Sequence, residues 1–123
     1  MAGNNSRAQR IEQQMLRTLA QLVRREVKDP RVGNVTITAV TLAPDGGSAK
    51  VYFLPFGDQH TPAEVAAGLN SAAGFLRGEV GRDLGLRHAP KLEFEHDANI
   101  ERAHQLTSLI DIARRKDRER GGE

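Results

Sequence analysis

Ser71-Ala72-Ala73-Gly74-Phe75-Leu76-Arg77 is the stretch that decides the fold of this chain. Apolar residues recur at helical spacing both before it and after it, so two amphipathic helices meet at Gly74. A glycine inside a helix costs about 1 kcal/mol relative to alanine. Its presence indicates that the helix bends there or that something approaches the backbone closely. The stretch also fits a tight helix–helix corner that merely packs on a sheet.

Working outward from this corner, the hydrophobic periodicity predicts four helices and three strands. In chain order these are a helix over about 7–27, strands over 35–42 and 49–56, a helix from Pro62 to the corner, a helix over about 75–84, a strand over 92–96, and a last helix over about 100–110. The order α-β-β-α-α-β, followed by one more helix, predicts an α+β fold. We expect its three-stranded sheet to carry the helices on one face.

Residue chemistry at the ends of these elements supports their bounds. Ser6-Arg7-Ala8-Gln9 and Thr61-Pro62-Ala63-Glu64 are capping-box patterns that begin helices. Asp29-Pro30 ends the first helix, because proline disfavours helical conformation in the residue before it. Gly85 is a natural stop for the third helix. The alternation of apolar residues slips within the first strand, which predicts a bulge near Ala39.

The composition indicates one domain with short tails. At 123 residues, we expect a disordered N-terminus over 1–6, a single domain over 7–113, and a charged, disordered tail over 114–123. The chain has no cysteine, which excludes disulfides and thiolate chemistry and fits a cytoplasmic setting. Its apolar runs are far shorter than the roughly 20 residues that a membrane span needs. The polar start lacks the apolar region of a signal peptide.

Positive charge is unevenly placed, although the net charge is only +2. Residues 1–34 carry seven basic and three acidic side chains, and residues 74–91 carry four and two. Between these segments, residues 35–73 carry one basic and three acidic side chains. Basic clusters on the first helix and just after the Gly74 corner suit an anionic partner, with RNA or DNA ahead of a membrane surface.

A bent helix pair on a three-stranded sheet resembles the KH domain in its second, prokaryotic-type topology. KH domains hold four nucleotides of single-stranded nucleic acid with a GxxG loop between two helices. The literal match here, Gly78-Glu79-Val80-Gly81, falls inside the predicted third helix, and Glu79 would repel a phosphate. The corner instead reads Ala72-Ala73-Gly74, an Ala-x-Gly sequence.

Four segments resemble bacterial ribosome-binding factor A, and together they span roughly residues 7–110 in the order of that family. The segments are Arg24-Arg25-Glu26-Val27-Lys28-Asp29-Pro30-Arg31-Val32-Gly33, Ala49-Lys50-Val51-Tyr52-Phe53, Ala73-Gly74-Phe75-Leu76-Arg77 continuing to Gly81-Arg82, and Leu86-Arg87-His88-Ala89-Pro90-Lys91-Leu92 with Phe94 and Asp97. The first and third are fairly specific as a pair.

The resemblance implies a non-catalytic, cytoplasmic assembly factor that acts as a monomer without a cofactor. Such proteins bind the immature small (30S) ribosomal subunit and its 16S rRNA and aid late maturation and 5′-end processing. They matter most in the cold, and in some bacteria a GTPase helps to release them. The RNA-binding residues predicted from the resemblance and the charge pattern are Ala72, Ala73, Gly74, Arg77, Arg82, Arg87, Arg24, Arg25, Lys28 and Arg31.

Three alternatives remain open at this point. An enzyme or metal site is disfavoured because the four histidines are scattered, and only His96 with His104 has conceivable spacing. A protein-interaction module could use the apolar stripe of the first helix or the acidic third strand. A KH-like binder of another RNA, such as a small regulatory RNA, differs from the assembly factor only in its target.

Overall fold

The computed structural model describes residues 2–57 and 59–99. It places three helices and three strands there: α1 (Ala2–Glu26), β1 (Val35–Leu42), β2 (Ser48–Pro55), α2 (Pro62–Ser71), α3 (Ala73–Leu84) and β3 (Lys91–His96). The predicted α+β fold and its α-β-β-α-α-β order are confirmed. The predicted last helix over 100–110 and the predicted tail over 114–123 lie outside the described residues.

The sheet is mixed, with strand order β1-β2-β3. β1 pairs antiparallel with β2, and β2 pairs parallel with β3. The predicted bulge in β1 is confirmed: Ile37 pairs with Phe53 and Ala39 with Tyr52, which leaves Thr38 as the extra residue. The Thr38 hydroxyl donates a 2.7 Å hydrogen bond to Asp97, just beyond β3. The bulge thereby lets both halves of β1 bury apolar side chains on one face of the sheet.

The core lies between that face and the three helices. β2 buries Val51 and Phe53, and β3 buries Leu92 and Phe94, while the alternate residues Glu93 and Glu95 are exposed. The helices supply fully buried side chains at helical spacing, namely Met15, Leu19, Val65, Leu69, Leu76 and Val80. The predicted arrangement, with the helices on one face of the sheet, therefore follows from period-two and period-3.6 apolar patterns that meet in one core.

Helix α1 begins at Ala2, five residues before its predicted start, so the start predicted from the Ser6–Gln9 pattern is wrong. Residues 2–6, which we expected to be disordered, are helical here, and Ser6 lies inside the helix. Extension is favourable because each residue added to an existing helix gains a hydrogen bond, and no proline intervenes.

Further along α1, a carboxylate oxygen of Glu12 accepts a 2.8 Å hydrogen bond from the backbone N–H of Leu42 at the end of β1.

Helix α2 starts with the predicted capping box. The Thr61 hydroxyl accepts from the Glu64 N–H at 3.1 Å, and the Glu64 carboxylate accepts from the Thr61 N–H at 2.8 Å. The hydrogen bond from the Thr61 backbone N–H lowers the pKa of the Glu64 carboxyl, and the Thr61 side chain adds to this effect. At the far end of the helix pair, Gly85 has φ 66° and closes α3 in the left-handed conformation, as predicted.

The bend between α2 and α3 lies at Ala72, not at Gly74. α2 ends at Ser71 and α3 begins at Ala73, with Ala72 at φ −92° and ψ 0°. This conformation is open to an L-residue, so the bend makes no use of the freedom of glycine. The Ala72 N–H donates to Leu69, and its carbonyl accepts from Leu76. Gly74 lies in the first turn of α3, so the bend does not explain why a glycine occurs at this position.

Candidate nucleic-acid interface

A surface groove of about 660 Å³ runs along α3, between the helix and the returning loop over residues 85–89. Its helical wall carries three glycines on one side of α3: Gly74, Gly78 and Gly81. Three arginines also line it: Arg77, Arg82 and Arg87. The groove thus joins an accessible backbone to a concentration of positive charge.

The loop is held against α3 by local contacts. The Leu86 N–H donates to the Gly81 carbonyl at 2.9 Å, which turns the chain back along the helix. A Cβ placed on Gly81 would lie 3.3 Å from the Cβ of Ala89, so the glycine permits this close approach. The Arg77 guanidinium donates through Nε to the Ala89 carbonyl at 2.9 Å. Arg77 therefore fixes the loop while it contributes charge to the groove.

The groove stays positive although α3 carries two acidic residues. Glu79 forms an ion pair with Arg82 and compensates that charge, which leaves Arg77 and Arg87 as the groove arginines outside the ion pairs of the described residues. Asp83 accepts a hydrogen bond from the Thr18 hydroxyl of α1, which directs it to the opposite side of α3. Arg87 lies on the exposed loop, and among the described residues it belongs to none of the ion pairs. The field in the groove consequently favours an anion.

Gly74 is the solvent-exposed residue of the predicted Ala-x-Gly corner. A Cβ built on it would meet nothing within 4 Å, and the residue is exposed. Ala72 and Ala73, by contrast, are half-buried against the core. Neither the bend nor internal packing requires a glycine at position 74, and its backbone is open to approach from outside. The backbone N–H groups at the start of a helix favour an anion at such a place.

The predicted basic residues of α1 do not line this groove. Arg24 and Arg25 are exposed in the last turn of α1, and Lys28 follows them. Arg24 instead lines a separate hollow with Phe56 and the residues that begin β1. The structure therefore gathers Gly74, Arg77, Arg82 and Arg87 and leaves this second basic cluster apart from them.

Arg31, also predicted to bind RNA, forms hydrogen bonds with other side chains of the same domain. Its guanidinium donates to both carboxylate oxygens of Asp29 at 3.0 and 2.6 Å, and also to the Ser71 hydroxyl at 3.2 Å. These hydrogen bonds lower the pKa of Asp29 to about 2. Arg31 thus joins the loop after α1 to the end of α2, and its charge is compensated by Asp29.

Several groove and surface residues escaped the sequence analysis. Gly78 and Gly81 were set aside as a phosphate-binding element because Glu79 lies between them, yet both line the groove while Glu79 pairs with Arg82. A spacing of three to four residues between glycines was the signal that could have placed them on one helical face. Phe56 and Phe75 are 80% and 51% exposed, and the sequence carried no signal that distinguished them from core aromatics.

Two negative observations concern the described ranges, 2–57 and 59–99. No group of three or more His, Asp or Glu side chains within them could hold a metal ion. None of their helices is long and apolar enough to cross a membrane.

Comparisons with known proteins match the fold and the groove segment together. The sequence model of the family described as ribosome-binding factor A matches residues 7–110. Ribosome-binding factor A of Pseudomonas fluorescens (strain Pf-5) is 47% identical over 123 residues, covering 98% of this chain and 92% of that protein. The protein of the same name from Pseudomonas putida (strain F1) is 50% identical over 121 residues, covering 96% of this chain and 91% of that protein.

Solved structures agree with these sequence matches. The crystal structure of ribosome-binding factor A from Thermus thermophilus superimposes with a TM-score of 0.62 at 30% identity, over 71% of this chain and 92% of that one. A homology model of the Thermus thermophilus protein, fitted into the cryo-electron-microscopy map of a 30S–RbfA complex, gives a TM-score of 0.58 at 31% identity, over 68% of this chain and 88% of that one. By sequence and by fold, this chain belongs to the ribosome-binding factor A family.

Proposed function

We propose that this chain is a ribosome assembly factor that binds the immature small (30S) subunit through its 16S rRNA. The observation that carries the proposal is the groove along α3, where three arginines surround an open stretch of helix backbone at Gly74 and Gly78. A relative at 31% identity has been fitted into a 30S complex, which supports the choice of target.

The groove suits a sugar–phosphate backbone. Guanidinium groups bind phosphate oxygens in a bidentate manner. Exposed glycines let a phosphate approach the helix without meeting a side chain. Contacts of this kind set position and register but carry little base sequence information. The target is then recognised by the shape of the rRNA and by bases exposed in single-stranded segments.

Membership in the family supports the finer parts of the proposal. The chain acts in the cytoplasm as a monomer, without a cofactor and without catalysis. It aids late maturation of the subunit and processing of the 5′ end of the 16S rRNA, with its largest effect in the cold. It leaves the mature subunit, and a GTPase is the candidate for its release.

Charge-reversal variants test the proposed interface. Arg82→Glu with Arg87→Glu should weaken co-sedimentation with purified small subunits, because two phosphate contacts become repulsive. Arg10→Glu with Arg17→Glu is the matched control, since both residues are exposed on α1 and lie outside the groove. Unchanged urea unfolding midpoints would show that both variants fold. Equal sedimentation of the two double variants would contradict the proposed interface.

The second candidate function is KH-like binding of another RNA, because the groove contacts described above carry little sequence information. Gradient fractionation of a bacterial lysate separates the two functions. An assembly factor should be enriched on free small subunits and absent from translating ribosomes, whereas a binder of small RNAs should remain near the top of the gradient.

A further inference from the structure

Phe56 is the most exposed large apolar side chain in the described part of the protein, at 80% exposure. It follows β2 and is held in place by its own backbone, because its N–H donates to the Asn34 carbonyl at 2.9 Å. It lies between two hollows, one toward α1 and one toward α2. The hollow toward α1 has a volume of about 300 Å³ and is lined by Arg24, Val27 and the start of β1.

Positive charge lies beside this aromatic side chain. Arg24 lines the hollow together with Phe56, Arg25 is exposed next to Arg24 in α1, and Lys28 is exposed just after the helix ends. None of the ion pairs among the described residues engages these three cations. The hollow therefore combines an aromatic side chain with the uncompensated Arg24, and Arg25 and Lys28 follow Arg24 in the sequence, which is the composition of a platform for single-stranded nucleic acid.

The platform is separate from the groove along α3. No residue lines both of them. The loop of the groove leads into the start of β3. There the Lys91 N–H donates to the carbonyl of Gly47, which directly precedes β2. Phe56 directly follows the opposite end of β2. The eight residues of β2 lie between these two ends of the sheet, a distance of about 26 Å.

We infer that Phe56 is a stacking platform for an unpaired RNA base, with Arg24, Arg25 and Lys28 contacting the adjoining phosphates. This inference rests on the proposed function, since it gives the same RNA partner a second point of contact. An aromatic side chain offers its face to any base, and the stack is strengthened by guanidinium groups nearby. Phe56 thus supplies the base contact that the phosphate-binding groove lacks.

A protein partner would fit this site less well. Protein interfaces bury a larger apolar centre from which charged residues are depleted, whereas here a single exposed phenyl ring lines a hollow with Arg24. The bases of a single strand bring the π-face and the negative charge together, which matches both features of the site.

The first test uses the absence of tryptophan from the chain. Phe56→Trp introduces a single tryptophan, whose emission is distinct from that of Tyr52, in the full-length protein. Titration with a short single-stranded oligoadenylate should quench its emission, because a stacked adenine lies against the indole. The same backbone with abasic sites should quench it much less. Equal quenching by the two strands, or none by either, would overturn the inference.

The second test measures affinity for the same oligoadenylate. Phe56→Leu keeps an apolar side chain but removes the aromatic face, and should weaken binding by about five- to a hundredfold. Phe56→Tyr should retain binding. Wild-type affinity in Phe56→Leu would mean that the ring is only an apolar contact and would overturn the inference.

The two proposals fail in different ways. If wild-type protein binds small subunits and the groove variants do not, while Phe56→Leu leaves oligoadenylate binding unchanged, the assembly-factor function stands and the stacking platform fails. If wild-type protein does not bind small subunits at all, the proposed function itself fails, whatever the oligoadenylate titrations show.

Discussion

Two glycines on the bent helix pair have opposite surroundings. A Cβ on Gly68 would lie 2.8 Å from a methyl carbon of Val32 and 3.3 Å from the Cβ of Arg31, so α2 packs on the loop after α1 at this glycine. A Cβ on Gly74 would meet nothing within 4 Å. Internal packing therefore explains Gly68, whereas no neighbour among the described residues requires a glycine at position 74.

Alanine substitution should separate these roles. Gly74→Ala should raise the free energy of unfolding by about 0.5–1 kcal/mol, because alanine is the better helix former and meets no neighbour. The same variant should bind small subunits more weakly. Urea unfolding and co-sedimentation check the two effects. A variant that is stabilised and binds as well as wild type would show that no phosphate approaches Gly74.

Gly68→Ala is the counterpart within the core. It should lower the free energy of unfolding by about 1–2 kcal/mol, because Val32 is buried and has little room to move, and this overpacking outweighs the gain in helix propensity. The measurement is again urea unfolding. Wild-type stability would mean that the loop after α1 shifts freely.

Asp29 should make the protein more sensitive to acid. Its pKa is lowered to about 2 in the folded state by the hydrogen bonds from Arg31, whereas an unfolded aspartate titrates near 3.9. A lowered folded-state pKa contributes stability above the unfolded value, and this contribution is lost as pH falls from about 4 to about 2. Asp29→Asn should therefore flatten the dependence of the urea midpoint on pH in that window. A variant with the same slope as wild type would exclude Asp29 as its source.

At the scale of elements, α2 protects the open edge of the sheet. β3 is an edge strand, and Asn70 near the end of α2 bonds to both backbone groups of Phe94: its side-chain oxygen accepts from the N–H at 3.0 Å, and its amide donates to the carbonyl at 3.4 Å. An unpaired edge strand is a template for pairing with other chains. Asn70 thus replaces the missing neighbouring strand at one residue and fixes α2 on the sheet.

Removing the Asn70–Phe94 hydrogen bonds should destabilise both α2 and β3. Asn70→Ala should cost about 1–3 kcal/mol of unfolding free energy, because the Phe94 N–H and carbonyl lose their partners at a part-buried site. Hydrogen exchange at the Phe94 amide should speed up more than exchange at the Val51 amide of the central strand. Gln21→Ala, on the exposed side of α1, is the control and should change neither quantity.

Elements with local signals were predictable from the sequence. The capping box at Thr61 and the bulge near Ala39 were both readable, because each depends on neighbours in the chain. The bend at Ala72 could not be predicted, because any L-residue can adopt its backbone conformation and no particular residue type indicates it. The engagement of Arg31 by Ser71 joins residues 40 positions apart, and the exposure of Phe56 depends on the whole fold.

At the scale of the whole molecule, two basic regions lie apart on the domain. The groove along α3 collects Arg77, Arg82 and Arg87, and the end of α1 collects Arg24, Arg25 and Lys28. A single RNA partner that contacts both would fix the orientation of the domain as well as its position. Binding should then depend steeply on salt, since each phosphate contact releases counterions.

The most direct test of the account is the salt dependence of binding to purified small subunits. We predict that log K falls linearly with log salt concentration, and that Arg82→Glu with Arg87→Glu reduces the magnitude of the slope by about 1.4–1.8, as expected for two lost phosphate contacts. The control pair, Arg10→Glu with Arg17→Glu, should leave the slope close to that of wild type. A groove variant with the wild-type slope and affinity would contradict the claim that this groove holds the rRNA backbone.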